Sequence, residues 1–256
     1  MPDACGAFRA TLRLGLLFPW TYLMWFVRLA VLPLRWWAPA LDRRIRQRLM
    51  RIWGTGLGWI IGQKIVVKGN PPKPPYYLVA NHVSYMDVFV LCRVLGCVFV
   101  AREDIARWPV FGIMVRSAQI IFIDREQKRD TVRVNKLIEQ AIREGDGVAV
   151  FAESRISCGW RVEPFKSAVM QPAIALGLPI HYVTLSYRLP PGYAPENEII
   201  GWWRPVPFFV HAWRLLRVPY FTVTVHFGEE PLYDTDRKRL AKELYQAVAK
   251  NYVPWR

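Results

Sequence analysis

Cysteine, histidine and acidic residues are scarce in this 256-residue chain. It has 4 cysteines, 4 histidines and 20 acidic side chains, against 35 basic ones. The cysteines form no C-x-x-C pair and have no histidine close by in sequence, so neither a zinc site nor a disulfide framework is indicated. This cysteine usage fits a reducing compartment.

Several signatures of enzymes and of nucleic-acid-binding proteins are also missing. The sequence has no G-x-S-x-G elbow and no G-x-x-x-x-G-K-[ST] phosphate loop. Glycines at 54, 56 and 58 half-resemble a dinucleotide-binding loop, but no strand-turn-helix pattern surrounds them, so we interpret them as helix-packing residues. The basic residues do not cluster with aromatic residues on one predicted sheet face, and no nucleic-acid partner is expected.

What the sequence does contain is excess positive charge beside long apolar runs. The formal net charge is +15. Residues 1–70 carry 11 basic and only 2 acidic side chains, and the same part of the chain includes an uncharged run over residues 14–27 that ends at Arg28. Basic residues next to apolar ones are typical of a surface that meets an anionic membrane.

The apolar segments predict a helical hairpin that lies in one membrane leaflet. Fourteen residues make about 21 Å of helix, which is short of the ~30 Å hydrocarbon core of a bilayer. A second apolar segment covers residues 52–67, and the arginines of residues 42–48 between the two segments are predicted to meet lipid phosphates. We therefore assign residues 1–69 to membrane docking.

Two other interpretations of the first apolar segment stay open. Arg9 and Arg13 precede it and Ala-Pro-Ala follows at residues 38–40, as in a secretory signal, although Arg28 and Arg35 would interrupt such a signal. The segment also fits a buried helix of an ordinary soluble core. Its basic flanks and its hydrophobicity on all sides favour the membrane.

Short apolar runs separated by helical patterns predict an α/β body over residues 70–256. The expected fold is a mixed, mostly parallel sheet flanked by helices. The predicted strands are residues 64–67, 76–80, 98–101, 119–123, 147–151, 180–186 and 221–227, and the predicted helices are 87–95, 130–144, 167–176 and 235–252.

A histidine and a carboxylate stand five residues apart directly after the second predicted strand. Strand ends are where α/β sheets place their sites. His82 and Asp87 would lie about 140° apart within one helix, but they can meet if His82 precedes the helix and Asp87 lies in its first turn. Asp87 would then fix the imidazole tautomer and leave the other nitrogen free to take a proton. A helix-capping aspartate beside an incidental histidine is the alternative.

These residues resemble the glycerolipid acyltransferase family, the 1-acylglycerol-3-phosphate acyltransferases and their relatives. The tail, with its Trp- and His-containing stretches, is similar to the bacterial branch that includes lyso-ornithine lipid acyltransferases. The family's four blocks are matched in order by Asn81-His82 with Asp87, by Phe122-Ile123-Asp124-Arg125 after Trp108-Pro109-Val110-Phe111-Gly112, in part by Phe151-Ala152-Glu153-Ser154-Arg155, and by Gly177-Leu178-Pro179-Ile180.

The resemblance implies an acyltransferase domain over residues 70–256, at the cytoplasmic face of the inner membrane, peripheral or monotopic. His82 would be the general base on a lysolipid hydroxyl (lysophosphatidic acid or lyso-ornithine lipid), oriented by Asp87. The acyl donor would be a thioester of acyl carrier protein or of coenzyme A, with no metal or further cofactor. The residues implied in binding the acceptor are Arg102, Arg125, Glu153 and Arg155.

The third block departs from the family's F-P-E-G-T pattern, and two other functions stay open. Ala152 and Ser154 replace the proline and the glycine, and Arg155 stands at the threonine position. One rival is a thioesterase or lipid hydrolase that uses the same His-Asp pair with water, and the other is a non-catalytic lipid-binding scaffold. The remaining histidines, at 181, 211 and 226, are interpreted as structural.

Overall fold

The computed structural model describes residues 4–103, 115–124, 127 and 130–255. Three helices come first, and an α/β body follows them. The helices are α1 (Ala4–Val31), α2 (Leu34–Trp37), α3 (Pro39–Ile61), α4 (Met86–Leu95), α5 (Asp130–Arg143), α6 (Gln171–Ala175), α7 (Glu196–Ile199), α8 (Phe208–Arg217) and α9 (Arg237–Asn251). The strands are β1 (Gln63–Lys68), β2 (Tyr76–Ala80), β3 (Val98–Arg102), β4 (Ile121–Ile123), β5 (Gly147–Phe151), β6 (Ile180–Arg188) and β7 (Phe221–Phe227).

The strands form one sheet in the order β1-β7-β6-β2-β5-β3-β4. All neighbouring pairs are parallel except β6 and β7, which are antiparallel. The predicted mixed, mostly parallel sheet flanked by helices is therefore confirmed. Strand β1 precedes the predicted boundary at residue 69 and yet pairs with β7, so the sheet begins inside the N-terminal segment. The division of the chain into two domains stays a prediction.

Strand β2 lies at the centre of the sheet, and its five residues are all buried. Burial of a whole strand is expected where neighbouring strands flank it and helices cover both faces. Its last residue, Ala80, pairs with Phe151, the last residue of β5, and Arg102 at the end of β3 pairs with Ile123 at the end of β4. The residues that follow β2, β5, β3 and β4 therefore share one edge of the sheet.

Helices α1 and α3 form the predicted hairpin. The indole Nε1 of Trp20 donates to the Trp53 carbonyl at 3.0 Å, and Arg28 pairs with Asp42. Because a later residue of α1 meets an earlier residue of α3, the two helices run antiparallel. The second arm differs from the prediction: α3 begins at Pro39 and ends at Ile61, and residues 63–68 are strand β1.

Two glycines of α3 allow its neighbours to come close. A Cβ on Gly54 would lie 2.7 Å from the backbone nitrogen of Arg93 on α4, and one on Gly56 would lie 2.4 Å from the Trp20 ring on α1. Both distances are below van der Waals contact, so only glycine fits without a shift of the α4 backbone at position 54 or of the Trp20 ring at position 56. The interpretation of this glycine run as helix packing is confirmed.

One arginine of residues 42–48 corrects the prediction of lipid-phosphate contacts. Arg46 is 1% exposed, and its Nη2 atom lies 2.6 Å from each carboxylate oxygen of Asp146. Gln47 donates to the same carboxylate. Asp146 directly precedes β5, so this part of α3 is bound to the sheet domain. Arg44 and Arg48 of the same segment are exposed.

Polar contacts hold α1 against the body of the protein near both of its ends. Arg13 is buried and donates to the backbone carbonyls of Leu216, Val218 and Pro219, which lie at the end of α8 and just beyond it. Burial, together with the nearby charge of Arg9, lowers the pKa of Arg13 to about 10, so it remains charged at neutral pH. At the other end of the helix, Arg28 donates to the Ser117 carbonyl at 3.0 Å.

The outer face of α1 is apolar and exposed. Among the described residues, Cys5–Val31 is the one helix segment that is long and apolar enough to cross a membrane. Only 6% of its most apolar 18-residue stretch is buried. The structure therefore does not place this segment inside a soluble core. Its exposed large apolar side chains include Phe8, Leu12, Leu16, Phe18, Leu23 and Phe26.

Candidate active site

His82 and Asp87 meet in the loop between β2 and α4. The imidazole Nδ1 lies 2.8 Å from Asp87 Oδ2. Asp87 lies in the first turn of α4, and its Oδ2 also accepts hydrogen bonds from the backbone N–H groups of Val83 at 2.8 Å and Ser84 at 2.9 Å. The chain thus curls around one carboxylate oxygen, and the contact predicted from the five-residue spacing is present.

This contact defines the state of the imidazole. A carboxylate accepts hydrogen bonds, so the tautomer that fits this contact has Nδ1 of His82 as the donor and leaves Nε2 as the nitrogen that can act as a base. No hydrogen bond to Nε2 occurs within the described part of the chain. The His82 side chain is 13% exposed and the Asp87 side chain is fully buried. A buried carboxylate thus orients an imidazole whose side chain is still accessible at the surface.

Asn81, the first residue of the motif, joins two strands. Its Nδ2 donates to the Leu185 carbonyl at 3.0 Å, and its Oδ1 accepts from the Leu185 N–H at 2.8 Å. The side chain therefore continues the β2–β6 pairing beyond the end of β2. Ser84 ties the same loop to a different segment, because its hydroxyl donates to the Ile200 carbonyl at 2.6 Å.

The loop after β5 encloses His82 from the other side. The rings of His82 and Phe151 are stacked, with centroids 4.0 Å apart. The His82 carbonyl accepts from the Ser157 N–H at 2.8 Å. Glu153 is 3% exposed, and its two oxygens accept from the backbone N–H groups of His82 at 2.6 Å and Glu163 at 3.0 Å. The third sequence block thus holds the backbone of the first.

Burial is the largest influence on the pKa of Glu153. It raises the pKa of this carboxyl group to about 7, although the two N–H bonds lower it, and the nearby charges of Asp87 and Glu163 raise it further. The next residue, Ser154, has φ = 64°, a left-handed conformation that suits glycine. The loop therefore keeps a glycine-type backbone although serine occupies the position.

The predicted arginines have different positions. Arg102 is exposed at the end of β3, two strands from β2, which places it about 10 Å to the side of the strand that leads to His82. Arg155 is exposed in the loop after β5. Arg125 and residues 108–112 lie outside the described residues. The contacts of Arg102, Arg125, Glu153 and Arg155 with an acceptor stay a prediction.

Among the residues that the structure describes, no three His, Cys, Asp or Glu side chains lie together in a way that could hold a metal ion.

One contact in the site was not predicted from the sequence. The Tyr187 hydroxyl donates to Asp87 Oδ1 at 2.5 Å. Tyr187 is 100 residues from Asp87, and it follows the last family block. No spacing rule connects the two, so only the pairing of β6 with β2 reveals the contact.

Known proteins resemble this chain in sequence. A family model described as "Acyltransferase" matches residues 64–186. The chain is 30% identical to the lyso-ornithine lipid O-acyltransferase of Rhizobium meliloti (strain 1021) over 89% of this chain and 82% of that protein. It is 33% identical to the 1-acyl-sn-glycerol-3-phosphate acyltransferase of Neisseria meningitidis serogroup B over 67% of this chain and 68% of that protein.

A solved structure shares the fold. The crystal structure of the 1-acyl-sn-glycerophosphate (LPA) acyltransferase PlsC from Thermotoga maritima superposes with a TM-score of 0.67. The match covers 95% of this chain and 96% of that one at 18% identity, so it bears on the fold alone. From the family model and the two relatives, this chain belongs to the acyltransferase family and is an O-acyltransferase similar to the 1-acylglycerol-3-phosphate acyltransferases.

Proposed function

We propose that this protein moves a fatty acyl group from a thioester of acyl carrier protein or coenzyme A to the hydroxyl of a lysolipid, with His82 as the general base. The observation that carries the proposal is the geometry of His82. Asp87 holds its Nδ1, its Nε2 has no partner among the described residues, and its side chain is accessible at the edge of the sheet.

The proposed reaction is a direct transfer. Nε2 of His82 removes the proton from the acceptor hydroxyl as its oxygen attacks the thioester carbonyl carbon. The tetrahedral intermediate then collapses, the carbon–sulfur bond breaks, and the imidazolium returns the proton to the departing thiolate. Asp87 orients the ring and stabilises the imidazolium that forms between the two steps. No acyl-enzyme is required, so a serine or cysteine nucleophile has no role in this sequence of steps.

We propose lyso-ornithine lipid as the acceptor, with lysophosphatidic acid as the second candidate. The relative that bears the former name aligns with 89% of this chain, and the Neisseria relative that bears the latter aligns with 67%. The third block is compatible with the same choice, because Ser154 and Arg155 depart from the family's F-P-E-G-T pattern and the altered loop admits an acceptor other than lysophosphatidic acid. Lysophosphatidic acid carries a phosphate and lyso-ornithine lipid carries a carboxylate beside an ammonium group, and the guanidinium groups of Arg102, Arg125 and Arg155 suit either anionic group.

We propose further that the α1–α3 hairpin docks the protein into one leaflet. The outer face of α1 is apolar, and Trp36 and Trp37 of α2, at the bend of the hairpin, are 76% and 87% exposed. Because Arg13 and Arg28 bind α1 to the body near both ends, the helix lies along the protein. Acyl thioesters of coenzyme A and carrier protein are cytoplasmic, so the proposed location is the cytoplasmic face of the inner membrane.

The activity is tested with a labelled acyl thioester and each lysolipid in mixed micelles. We expect acylated lipid to form, and we expect His82→Ala to lower kcat/KM by about 10²- to 10⁴-fold. His226→Ala, which removes an imidazole from β7, is the matched control and should keep its activity. Release of free fatty acid without acylated lipid would identify a hydrolase, and full activity of H82A would reject the assignment of the base.

Docking is tested by flotation with vesicles that contain phosphatidylglycerol. We expect the protein to float with these vesicles, and we expect a variant with both Trp36→Ser and Trp37→Ser to float less. Trp160→Ser, which removes a tryptophan that is 52% exposed in the loop after β5, should float as the wild type does. Equal flotation of all three proteins would reject a role for the hairpin bend.

A further inference from the structure

Asp87 is bound on both of its oxygens, by two different parts of the chain. Three donors, Nδ1 of His82 and the N–H groups of Val83 and Ser84, converge on Oδ2 from the loop that contains the motif. The fourth donor, the hydroxyl of Tyr187, reaches Oδ1 at 2.5 Å. The second oxygen of a fully buried carboxylate therefore relies on a side chain from another strand.

The position of Tyr187 follows from the register of the sheet. Strand β6 pairs with β2 as far as Ala80 and Val183, and it then continues for five residues beyond the end of β2. Tyr187 lies in this extension, next to the loop of residues 81–87. Its side chain is fully buried, and its ring lies 6.3 Å from the ring of Phe221 on β7. Packing from β7 thus fixes the ring that presents the hydroxyl.

The Tyr187 hydroxyl is a permanent donor. Burial raises the pKa of Tyr187 well above its ordinary value, and the charge of Asp87 raises it further. The hydroxyl therefore keeps its proton at any pH at which the protein works. A carboxylate that accepts hydrogen bonds on both oxygens has a fixed rotation about its Cβ–Cγ bond, whereas one with donors on a single oxygen does not.

We propose that Tyr187 is a positioning residue for acyl transfer, which acts on His82 through Asp87. No other described residue donates to Oδ1 of Asp87, so without this hydroxyl the carboxylate would rotate or recruit water to satisfy the buried oxygen. Oδ2 would then move relative to Nδ1 of His82, and the imidazole would lose its aim at the acceptor hydroxyl. This inference rests on the proposed function, because it assigns Tyr187 to the reaction through the His82–Asp87 pair.

The experiment compares Tyr187→Phe with Tyr77→Phe. Tyr77 is also fully buried, on the adjacent strand β2, and its hydroxyl donates to the Val169 carbonyl at 2.5 Å, so its loss removes a similar bond that does not touch Asp87. With fatty acyl-coenzyme A and the two lysolipids, we expect Y187F to lower kcat about 10- to 100-fold with KM within about two-fold, as for loss of one hydrogen bond to a charged group. Y77F should leave both constants within about two-fold.

A double-mutant cycle separates positioning from packing. In the Asp87→Ala background no side-chain oxygen is left at position 87 to accept from Tyr187, so adding Y187F should change the residual kcat by less than about two-fold. A packing role predicts instead that Y187F lowers kcat by the same factor in both backgrounds. That result, or a folded Y187F protein with wild-type kcat, would overturn the inference.

A second variant tests the inference if Y187F does not fold. Incorporation of 3-fluorotyrosine at position 187 keeps the ring and makes its hydroxyl a stronger hydrogen-bond donor. A changed pH profile of kcat/KM would support the inference, and an unchanged profile would overturn it. If H82A and D87A retain full activity, the proposed function fails as well. If those two variants are inactive and Y187F is fully active, the inference about Tyr187 alone fails.

Discussion

The backbone N–H of His82 donates to the side chain of Glu153, with 2.6 Å between the nitrogen and Oε1. The other oxygen of the same carboxyl group accepts from the Glu163 N–H. One buried side chain therefore joins the loop after β2 to the loop after β5, and both loops shape the surroundings of the imidazole. Burial raises the pKa of Glu153 to about 7, so this junction changes charge close to neutral pH.

The raised pKa of Glu153 predicts a pH-dependent stability. An unfolded glutamate loses its proton near pH 4.5, and the folded one near pH 7, so the folded protein binds more protons between these values. The contribution of Glu153 to the free energy of unfolding is then constant below about pH 4.5 and falls by up to ~3 kcal/mol as the pH rises to about 7. Urea denaturation at pH 5, 6, 7 and 8 measures this slope.

Two variants isolate the contribution of Glu153. Glu153→Gln removes the ionisation, so its unfolding free energy should fall less steeply between pH 5 and 7 than that of the wild type. Glu230→Gln removes an exposed carboxylate and should keep the wild-type slope. A Glu153→Gln protein with the wild-type slope would show that this carboxyl group titrates in the folded protein as it does in the unfolded chain.

The left-handed backbone at Ser154 predicts a stabilising substitution. At φ = 64° the Cβ of an L-residue costs roughly 1 kcal/mol, which glycine does not incur. Ser154→Gly should therefore raise the free energy of unfolding by up to ~1 kcal/mol, reduced by the greater freedom of glycine in the unfolded chain. Ser154→Ala keeps the Cβ and should bring no such gain. If the alanine variant is stabilised as much as the glycine variant, the serine hydroxyl and not the backbone is the source of the cost.

The sequence predicts those parts of the fold that depend on local patterns. Each of the seven predicted strands is present, because each contains a short apolar run that the sequence pattern marks as a strand. The helix of residues 130–143 follows its apolar periodicity and ends within two residues of Gly145. The helices Glu196–Ile199 and Phe208–Arg217 were not predicted, since the first has one turn and the second follows a proline-rich stretch.

Contacts between distant residues are what the sequence does not predict. Arginines in residues 42–48 share one local pattern, yet Arg46 binds a buried aspartate 100 residues away while Arg44 and Arg48 are exposed. The rotation of α3 about its own axis decides which arginines face the body of the protein. The spacing of the charges in the sequence does not specify this rotation. In the candidate site, the contact of His82 with Asp87 followed from spacing, whereas the contact of Tyr187 with Asp87 depends on how far β6 extends past β2.

Two glycine-to-alanine substitutions test the close approach of α3. Gly54→Ala places a Cβ 2.7 Å from the Arg93 backbone nitrogen, so α4 must shift and we expect a loss of roughly 1–3 kcal/mol in the free energy of unfolding. Gly15→Ala, on α1, meets nothing within 4 Å and should stabilise the helix by up to ~1 kcal/mol. Thermal unfolding in detergent measures both changes. Equal effects of the two substitutions would show that helix propensity alone governs these positions.

The buried ion pair between Arg28 and Asp42 predicts a strong asymmetry between single and double substitutions. Arg28 Nη2 lies 3.2 Å from Asp42 Oδ2, Nη1 binds the other carboxylate oxygen, and the two residues are 5% and 2% exposed. Removing one partner leaves an unpaired charge in a dry site, so Arg28→Met and Asp42→Leu should each lower the free energy of unfolding by roughly 3–5 kcal/mol. Replacing both residues leaves no unpaired charge and should restore most of the lost stability. The hydrogen bond from Arg28 to the Ser117 carbonyl is still lost in the double variant.

Thermal unfolding of the three variants in one detergent measures these changes in stability. Losses that simply add in the double variant would mean that the pair does not couple α1 to α3, and that the hairpin is held by apolar packing alone.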